Sequence, residues 1–198
     1  MKFEIRNYHI TDISSLYRIC LLTGYNGGDA TPFLSDLDLV GHLFAAPYAL
    51  FEPELCFILS KDSTPSGYIL GTRDSIKFNE KCERKWFPQL RNRYLLPTKK
   101  DISLEANFIR YLHQKQKIIE GLESYPAHLH IDILPNAQGK GYGRKLIETF
   151  LHQLQSQNVM GVHLIVSKKN QNAIGFYQQI GFKKLKDLQE SIVFIKEL

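Results

Sequence analysis

Residues Gln138-Gly139-Lys140-Gly141-Tyr142-Gly143-Arg144 set glycines at alternate positions beside two cations, Lys140 and Arg144. An apolar-rich run, Leu129-His130-Ile131-Asp132-Ile133-Leu134, precedes them and reads as a buried strand. Pro135 and Asn136 close that strand, because proline cannot donate to a ladder and asparagine favours turns. Beyond the glycines, Leu146, Ile147, Phe150, Leu151 and Leu154 recur at three- and four-residue spacing, which predicts a helix. The stretch is therefore strand, glycine loop, helix start. A helix start leaves backbone N–H groups unpaired and carries partial positive charge. Glycines remove the side chains that would hold a phosphate away from those amides, and the two cations add full charge. The competing reading is a turn whose glycines serve geometry alone, since short glycine patterns recur by chance.

Spacing narrows the chemistry. A P-loop needs Ser or Thr after its lysine, and Lys140 is followed by Gly141. A dinucleotide fingerprint needs G-x-G-x-x-G, and Arg144 stands three residues after Gly141. What fits is Gln-x-x-Gly-x-Gly at Gln138, Gly141 and Gly143, which resembles the pyrophosphate loop of the GNAT superfamily, the acyl-CoA-dependent N-acyltransferases. Downstream, the run from Asn170 through Ala173, Phe176 and Tyr177 to Gly181 and Phe182 resembles that family's N-x-x-A-x-x-F-Y-x-x-x-G-F segment. Both motifs stand in the family's order. Asp29-Ala30-Thr31-Pro32, Ala46-Pro47-Tyr48, Gly67-Tyr68-Ile69-Leu70-Gly71, Trp86-Phe87-Pro88 and His128 to Asp132 are further similar to the acetyltransferase-like domains found at the C-terminus of O-GlcNAcases.

The elements that must position these residues follow in order. Phe3 to Arg6 alternates as a first strand, and Thr11 is the expected cap of a helix carrying Ile13, Leu16, Tyr17, Cys20 and Leu21 to a stop at Gly24. A turn-rich loop leads to a short helix over 37–44 that Pro47 should end. Leu55 to Ser60 and Gly67 to Thr72 read as paired strands joined through 61–66. Phe78, Cys82, Trp86 and Leu90 predict a helix interrupted near Pro88, and a second stripe uses Phe108, Ile109, Leu112 and Ile119. After the central strand and its helix, Val162 to Val166 is a strand and Asn170 caps the next helix. Phe182 to Lys186 and Ser191 to Lys196 form a closing antiparallel pair. The fold class expected is α/β (α+β): a GNAT-like mixed, mostly antiparallel sheet flanked by helices, with a helical insertion between the third and fourth strands. Residues 1–198 are expected to form a single acetyltransferase-like domain, with 74–125 part of it.

Composition excludes more than it selects. With 198 residues and 43% hydrophobic content, the chain can bury one sizeable core. Its charged start is unlike a signal peptide and no apolar run approaches the ~20 residues of a membrane span, so a cytoplasmic location without membrane attachment is expected. The three cysteines are odd in number and widely spaced, which argues against a disulfide frame or a metal site. The net charge of +5 suits an anionic cofactor, and cations are frequent between Lys77 and Lys100. A solvated helix face explains that segment more simply than a nucleic-acid patch.

The resemblance implies an acetyl-CoA-dependent N-acetyltransferase that moves an acetyl group to a primary amine by direct attack on the thioester. It implies that Gln138, Gly139, Lys140, Gly141, Tyr142, Gly143 and Arg144 hold the CoA pyrophosphate, that Ile131 and Ile133 pair with the pantetheine, and that Asn170 and Tyr177 complete the cofactor site. Tyr177 takes the family position of the general acid, against a competing role as a core tyrosine. Some relatives place a glutamate base early in the central strand, where this chain has Ala127 or His128. His130 and Asp132 share one strand face by alternation, and Asp132 is the expected base. The acceptor site is expected in the loops around 25–38 and 47–54, with Asp29, Phe33, Tyr48 and Glu52 as substrate contacts and no metal. The partner is then an amine-bearing small molecule or a protein lysine, and a homodimer is compatible with this. The alternative is a catalytically inactive acyl-CoA-binding or protein-interaction module, because the animal O-GlcNAcase domains are described as pseudo-acetyltransferases.

Overall fold

The computed structural model describes residues 2–115 and 119–198. Seven strands form one sheet in the order β1-β2-β3-β4-β5-β7-β6: β1 (Phe3–Asn7), β2 (Phe57–Lys61), β3 (Thr64–Thr72), β4 (Ala127–Ile133), β5 (Gly161–Ser167), β6 (Lys183–Asp187) and β7 (Ser191–Glu197). Every neighbouring pair is antiparallel except β4 with β5. The mixed, mostly antiparallel sheet is the one expected.

Helices α1 (Ile13–Thr23), α2 (Leu39–Phe44), α3 (Ala46–Phe51), α4 (Ser75–Lys85), α5 (Phe87–Arg93) and α6 (Leu104–His113) cover one face. Helices α7 (Tyr142–Ser156) and α8 (Gln171–Gln179) cover the other. Alternation along each strand divides the core accordingly. Ile58, Tyr68 and Leu70 pack with the α1–α6 side, whereas Phe57, Leu59, Ile69 and Leu129 pack with α7. The insertion helices α4–α6 bring Phe78, Cys82, Phe87, Leu90 and Leu112 into the same cluster as α1–α3. Gly71 of β3 lies beneath the fully buried Phe150 ring of α7, where an added Cβ would come within 2.3 Å of the ring.

Several local expectations are corrected. Thr11 does not cap α1; His9 caps a 3₁₀ turn over Ile10–Asp12, and Asp12 then leads into the helix. Asp12 is fixed by the paired Arg6 guanidinium at 2.7 Å and by the His9 amide, which a sequence pattern three residues wide does not reveal. Pro47 begins α3 rather than merely ending α2, since a first-turn proline forfeits no helical hydrogen bond. The hairpin turn between β2 and β3 is Asp62-Ser63 alone, both at positive φ, with the Asp62 amide donating to the Lys2 carbonyl at 2.8 Å. The expected break near Pro88 falls at Trp86, between α4 and α5. Helix α6 ends at His113, and the stripe's extension to Ile119 crosses residues 116–118, outside the described residues.

Strand order creates the feature that matters most. Only Ala127↔Val162 and His128↔His163 join β4 to β5, although the strands continue to Ile133 and Ser167. Beyond those rungs they diverge, and a gap opens in the middle of the sheet.

Candidate functional site

The gap exposes backbone in a defined pattern. The Leu134 amide donates to Ser66 at 2.8 Å, and the Asp132 and His128 carbonyls crowd Gly67 and Gly71 of β3. Even-numbered residues of β4 therefore spend their backbone groups on β3. By alternation the N–H and C=O groups of Ile131 and Ile133 point into the gap. The Ile133 carbonyl is held by the Gln138 side-chain amide at 2.6 Å, which ties the glycine loop to the strand end.

At that end α7 begins. Gly139 and Gly141 have φ of +71° and +80°, and a Cβ on either would meet nothing within 4 Å. Gly141 is the N-cap and offers no side chain, so the first amides of the helix have no capping partner. Left-handed glycines facing open space, beside uncapped amides, form a cradle that fits a phosphate ester. Gly143 differs: an added Cβ would press on Phe176 at 3.1 Å, so this glycine allows α7 to approach α8. Lys140 does not stand free, because its ammonium donates to the Asn136 carbonyl at 2.8 Å and sits over the Phe3 ring. Phe3 in turn stacks on Tyr142 at 4.6 Å, and Arg144 is exposed.

On the α7 face of the sheet, α8 carries Tyr177. Asn170 caps this helix, its side-chain oxygen accepting from the Ala173 amide at 3.1 Å, and its amide lies against the Asn26-Gly27 turn. Tyr177 is buried among Phe176, Phe182 and Phe194. Burial pushes its phenol pKa up, and the nearby Asp132 charge pushes it further.

Asp132 faces the α1–α6 side. Its Oδ2 accepts from the Tyr68 hydroxyl at 2.6 Å, and burial raises its pKa against the opposing pull of that bond and of Thr23. Two residues earlier on the same face, His130 lines a cavity of about 920 Å³. His128 and His163 share its floor. The His128 ring is held at both nitrogens, by Tyr48 at 2.7 Å and Ser75 at 2.6 Å, while His163 Nδ1 meets the Tyr125 carbonyl at 2.7 Å. Burial lowers the pKa of all three imidazoles, that of His130 to about 4, so they are uncharged at neutral pH.

The four acceptor-loop residues do not come together. Tyr48 lines the cavity. Asp29 instead accepts from the Thr31 amide at 2.8 Å as a turn cap, Phe33 packs on Tyr25, and both lie outside the cavity. Glu52 braces Thr72 at 2.6 Å and pairs with Arg73. Much of the cavity wall comes from the insertion, including Ser75, Ile76, Asn79 and Tyr111, which no short motif marked. The spacing of His128, His130 and His163 on neighbouring strands was the one available signal. Several insertion cations are engaged within the fold: Lys77 with Asp74, Lys81 over Phe51, Arg91 with Glu83 and Arg93 with Asp36. No helix among the described residues is long and apolar enough to cross a membrane.

Comparison with known proteins finds relatives of this fold. The solved structure of SsHAT is 35% identical, matches 100% of this chain and 98% of its own, and has a TM-score of 0.94. The PaiA N-acetyltransferase of Thermoplasma acidophilum, solved in complex with coenzyme A, has a TM-score of 0.62 at 16% identity and full coverage of both chains, a likeness of fold. Protein O-GlcNAcase of Rattus norvegicus and of Mus musculus is 26% identical over 182 residues, 90% of this chain but 20% of theirs. This chain thus spans about a fifth of the length of those curated relatives. The sequence model of the acetyltransferase (GNAT) family matches residues 28–182.

Proposed function

We propose, on the premise that this chain belongs to the acetyltransferase (GNAT) family, that it transfers an acetyl group from acetyl-CoA to a primary amine. The observation that carries this is the meeting, at one strand end, of the open Gly139–Gly141 cradle and the unpaired edge of β4. Amides at Tyr142, Gly143 and Arg144 bind the pyrophosphate, with Gln138 holding the loop against Ile133 and Lys140 stiffening it. Ile131 pairs with the pantetheine as an added strand would, while Ile133, its carbonyl held by Gln138, offers the cofactor its N–H. Bound there, acetyl-CoA supplies an activated thioester.

The chain's own groups manage charge and protons. The Ile133 N–H steadies negative charge growing on the carbonyl oxygen. Tyr177, kept protonated by burial, donates its proton to the departing sulfur. The amine's proton passes to the cavity face of β4. Asp132, a desolvated carboxylate with a raised pKa, accepts it directly or through one water. A second assignment, to His130, is supported by that ring lining the cavity, whereas Asp132 is bonded to Tyr68.

Calorimetric titration with acetyl-CoA tests the site. Wild type should bind, and Gly141→Glu, which sets a side chain and a negative charge in the cradle, should not. Absence of binding by folded wild type would reduce the loop to a turn. A non-catalytic acyl-CoA-binding module is the second reading, supported by the match to one-fifth of each O-GlcNAcase. It expects binding without product across a broad amine panel.

A further inference from the structure

The cavity beside His130 is walled by parts of the chain that the cofactor cradle does not use. Phe44 at the end of α2, Tyr48 in α3 and Tyr111 in α6 bring aromatic rings to it. The His130 ring stands 5.9 Å from Phe44 and 5.3 Å from Tyr48, centroid to centroid. Phe44 also lies 5.4 Å from Tyr111, so the rings form a continuous bed. Two aliphatic side chains remain open beside it, Ile76 of α4 at 56% exposure and Ile165 of β5 at 52%. Ile165 is notable because its neighbours in the strand, Leu164 and Val166, are buried.

The polar groups of this bed are largely consumed inside the protein. His128 is satisfied at both nitrogens, Ser75 Oγ donates to the Pro126 carbonyl at 2.6 Å, and His163 is bonded to Tyr125. Glu83 on the rim is paired with Arg91, and Asp74 with Lys77. A polyhydroxylated ligand would find few unspent partners in the depth. The carboxylates of the wall, Asp74, Glu80, Glu83 and Glu123, stand among the cations Arg84 and Lys115, with Asp74 and Glu83 paired to Lys77 and Arg91, so a polyamine would not meet an all-acidic wall. The cavity's 920 Å³ falls within the range of ordinary small-molecule sites, roughly 300–1,000 Å³.

We infer that the acceptor is a small molecule whose primary amine is carried on a flat aromatic ring system, seated on this ring bed with its nitrogen toward the β4–β5 gap. The assignment rests on the acetyl-transfer reading for the word acceptor. The ring bed, the open aliphatic side chains and the spent polar groups select the body of the molecule. Rings of this kind pack offset or edge-to-face against aromatic neighbours, and uncharged imidazoles do not repel an ammonium.

Calorimetric titration of the whole protein with 2-phenylethylamine, spermidine, glucosamine and a short N-blocked lysine peptide, each with CoA present, tests this. The aromatic amine should bind at least about tenfold more tightly than the others. Ile76→Trp, at an exposed position that leaves the core intact, should push a bulky ring over the ring bed and weaken that binding about tenfold or more while CoA affinity stays unchanged. Equal or tighter binding of any comparator, or an Ile76→Trp variant that binds the aromatic amine as wild type does, overturns the assignment. Acetyl-CoA titration and product formation report separately on acetyl transfer. A protein that acetylates the lysine peptide in preference refutes the ring-bearing acceptor alone. One that binds the aromatic amine but never acetyl-CoA retires acetyl transfer and keeps the ligand class.

Discussion

Burial and the charge of Asp132 both oppose ionisation of the Tyr177 hydroxyl. Tyr177→Phe keeps the packing against Phe182 and Phe194 and removes the hydroxyl. Turnover should fall by about 10²–10⁴ while acetyl-CoA affinity stays within about twofold. Steady-state kinetics beside calorimetry checks this, and unchanged turnover removes Tyr177 from the chemistry. For the proton acceptor, Asp132→Asn should lower kcat about a hundredfold and abolish the acid limb of the pH–rate profile, with His130→Gln changing it little. The opposite ranking moves the role to His130. Motif spacing singled out Tyr177 as a candidate, because Asn170, Phe176 and Gly181 are close to it in sequence, and the structure buries it on α8. The partner of Asp132 was not legible, since Tyr68 lies 64 residues away and only the β3–β4 register brings it opposite. Glu52 and Asp29 bond Arg73 and Thr31 within the fold, which the sequence did not reveal for a related reason. An acidic residue in a loop looks the same in sequence whether it greets a ligand or ties down backbone.

Helix α7 and the strand before it frame the glycine cradle. Its N-terminus is open because Gly141 has no side chain and sits at positive φ. Packing sets a second glycine constraint at Gly71, where Phe150 leaves no room for a methyl group. Gly71→Ala should cost about 1–3 kcal/mol through overpacking, read from chemical denaturation, with an unchanged denaturant slope. A neutral result would mean that α7 can shift off the sheet. Strands and the longer helices were readable from their periodicity, and so was the break near Pro88. The Asn170 cap was readable too, but the start of α1 and the β2–β3 turn were not, because Asp12 is fixed by Arg6 and Asp62 by Lys2. The insertion's role as a cavity wall was equally hidden, since α4 and α6 meet β4 only in the folded sheet.

Across the whole molecule, the buried imidazoles dictate an acid response. Their pKa values in the folded state lie below the ordinary 6.5, so the unfolded chain binds more protons between those values. Their contribution to stability is complete above pH 6.5 and is lost as pH falls towards about 4, the value for His130. For His130 alone the shift corresponds to roughly 3 kcal/mol. Asp132, with its raised pKa, opposes the trend, and Asp12, lowered by Arg6, adds to the loss only below 3.8. Thermal unfolding should therefore drop steadily from pH 7 to 4, and His130→Leu should flatten the lower part of that curve; identical curves would mean that the imidazole is solvated. The same sheet also carries an unusual liability. Its outermost strand, β6, is fully exposed and armed with Lys183, Lys184 and Lys186, the kind of edge that discourages other chains from pairing with it. The gap between β4 and β5 has no such guard, yet it offers unpaired backbone beside Ile131, Ile133 and Ile165. Self-association of this protein should therefore begin at the centre of its sheet, and any extended molecule that fills the gap would act as its chaperone.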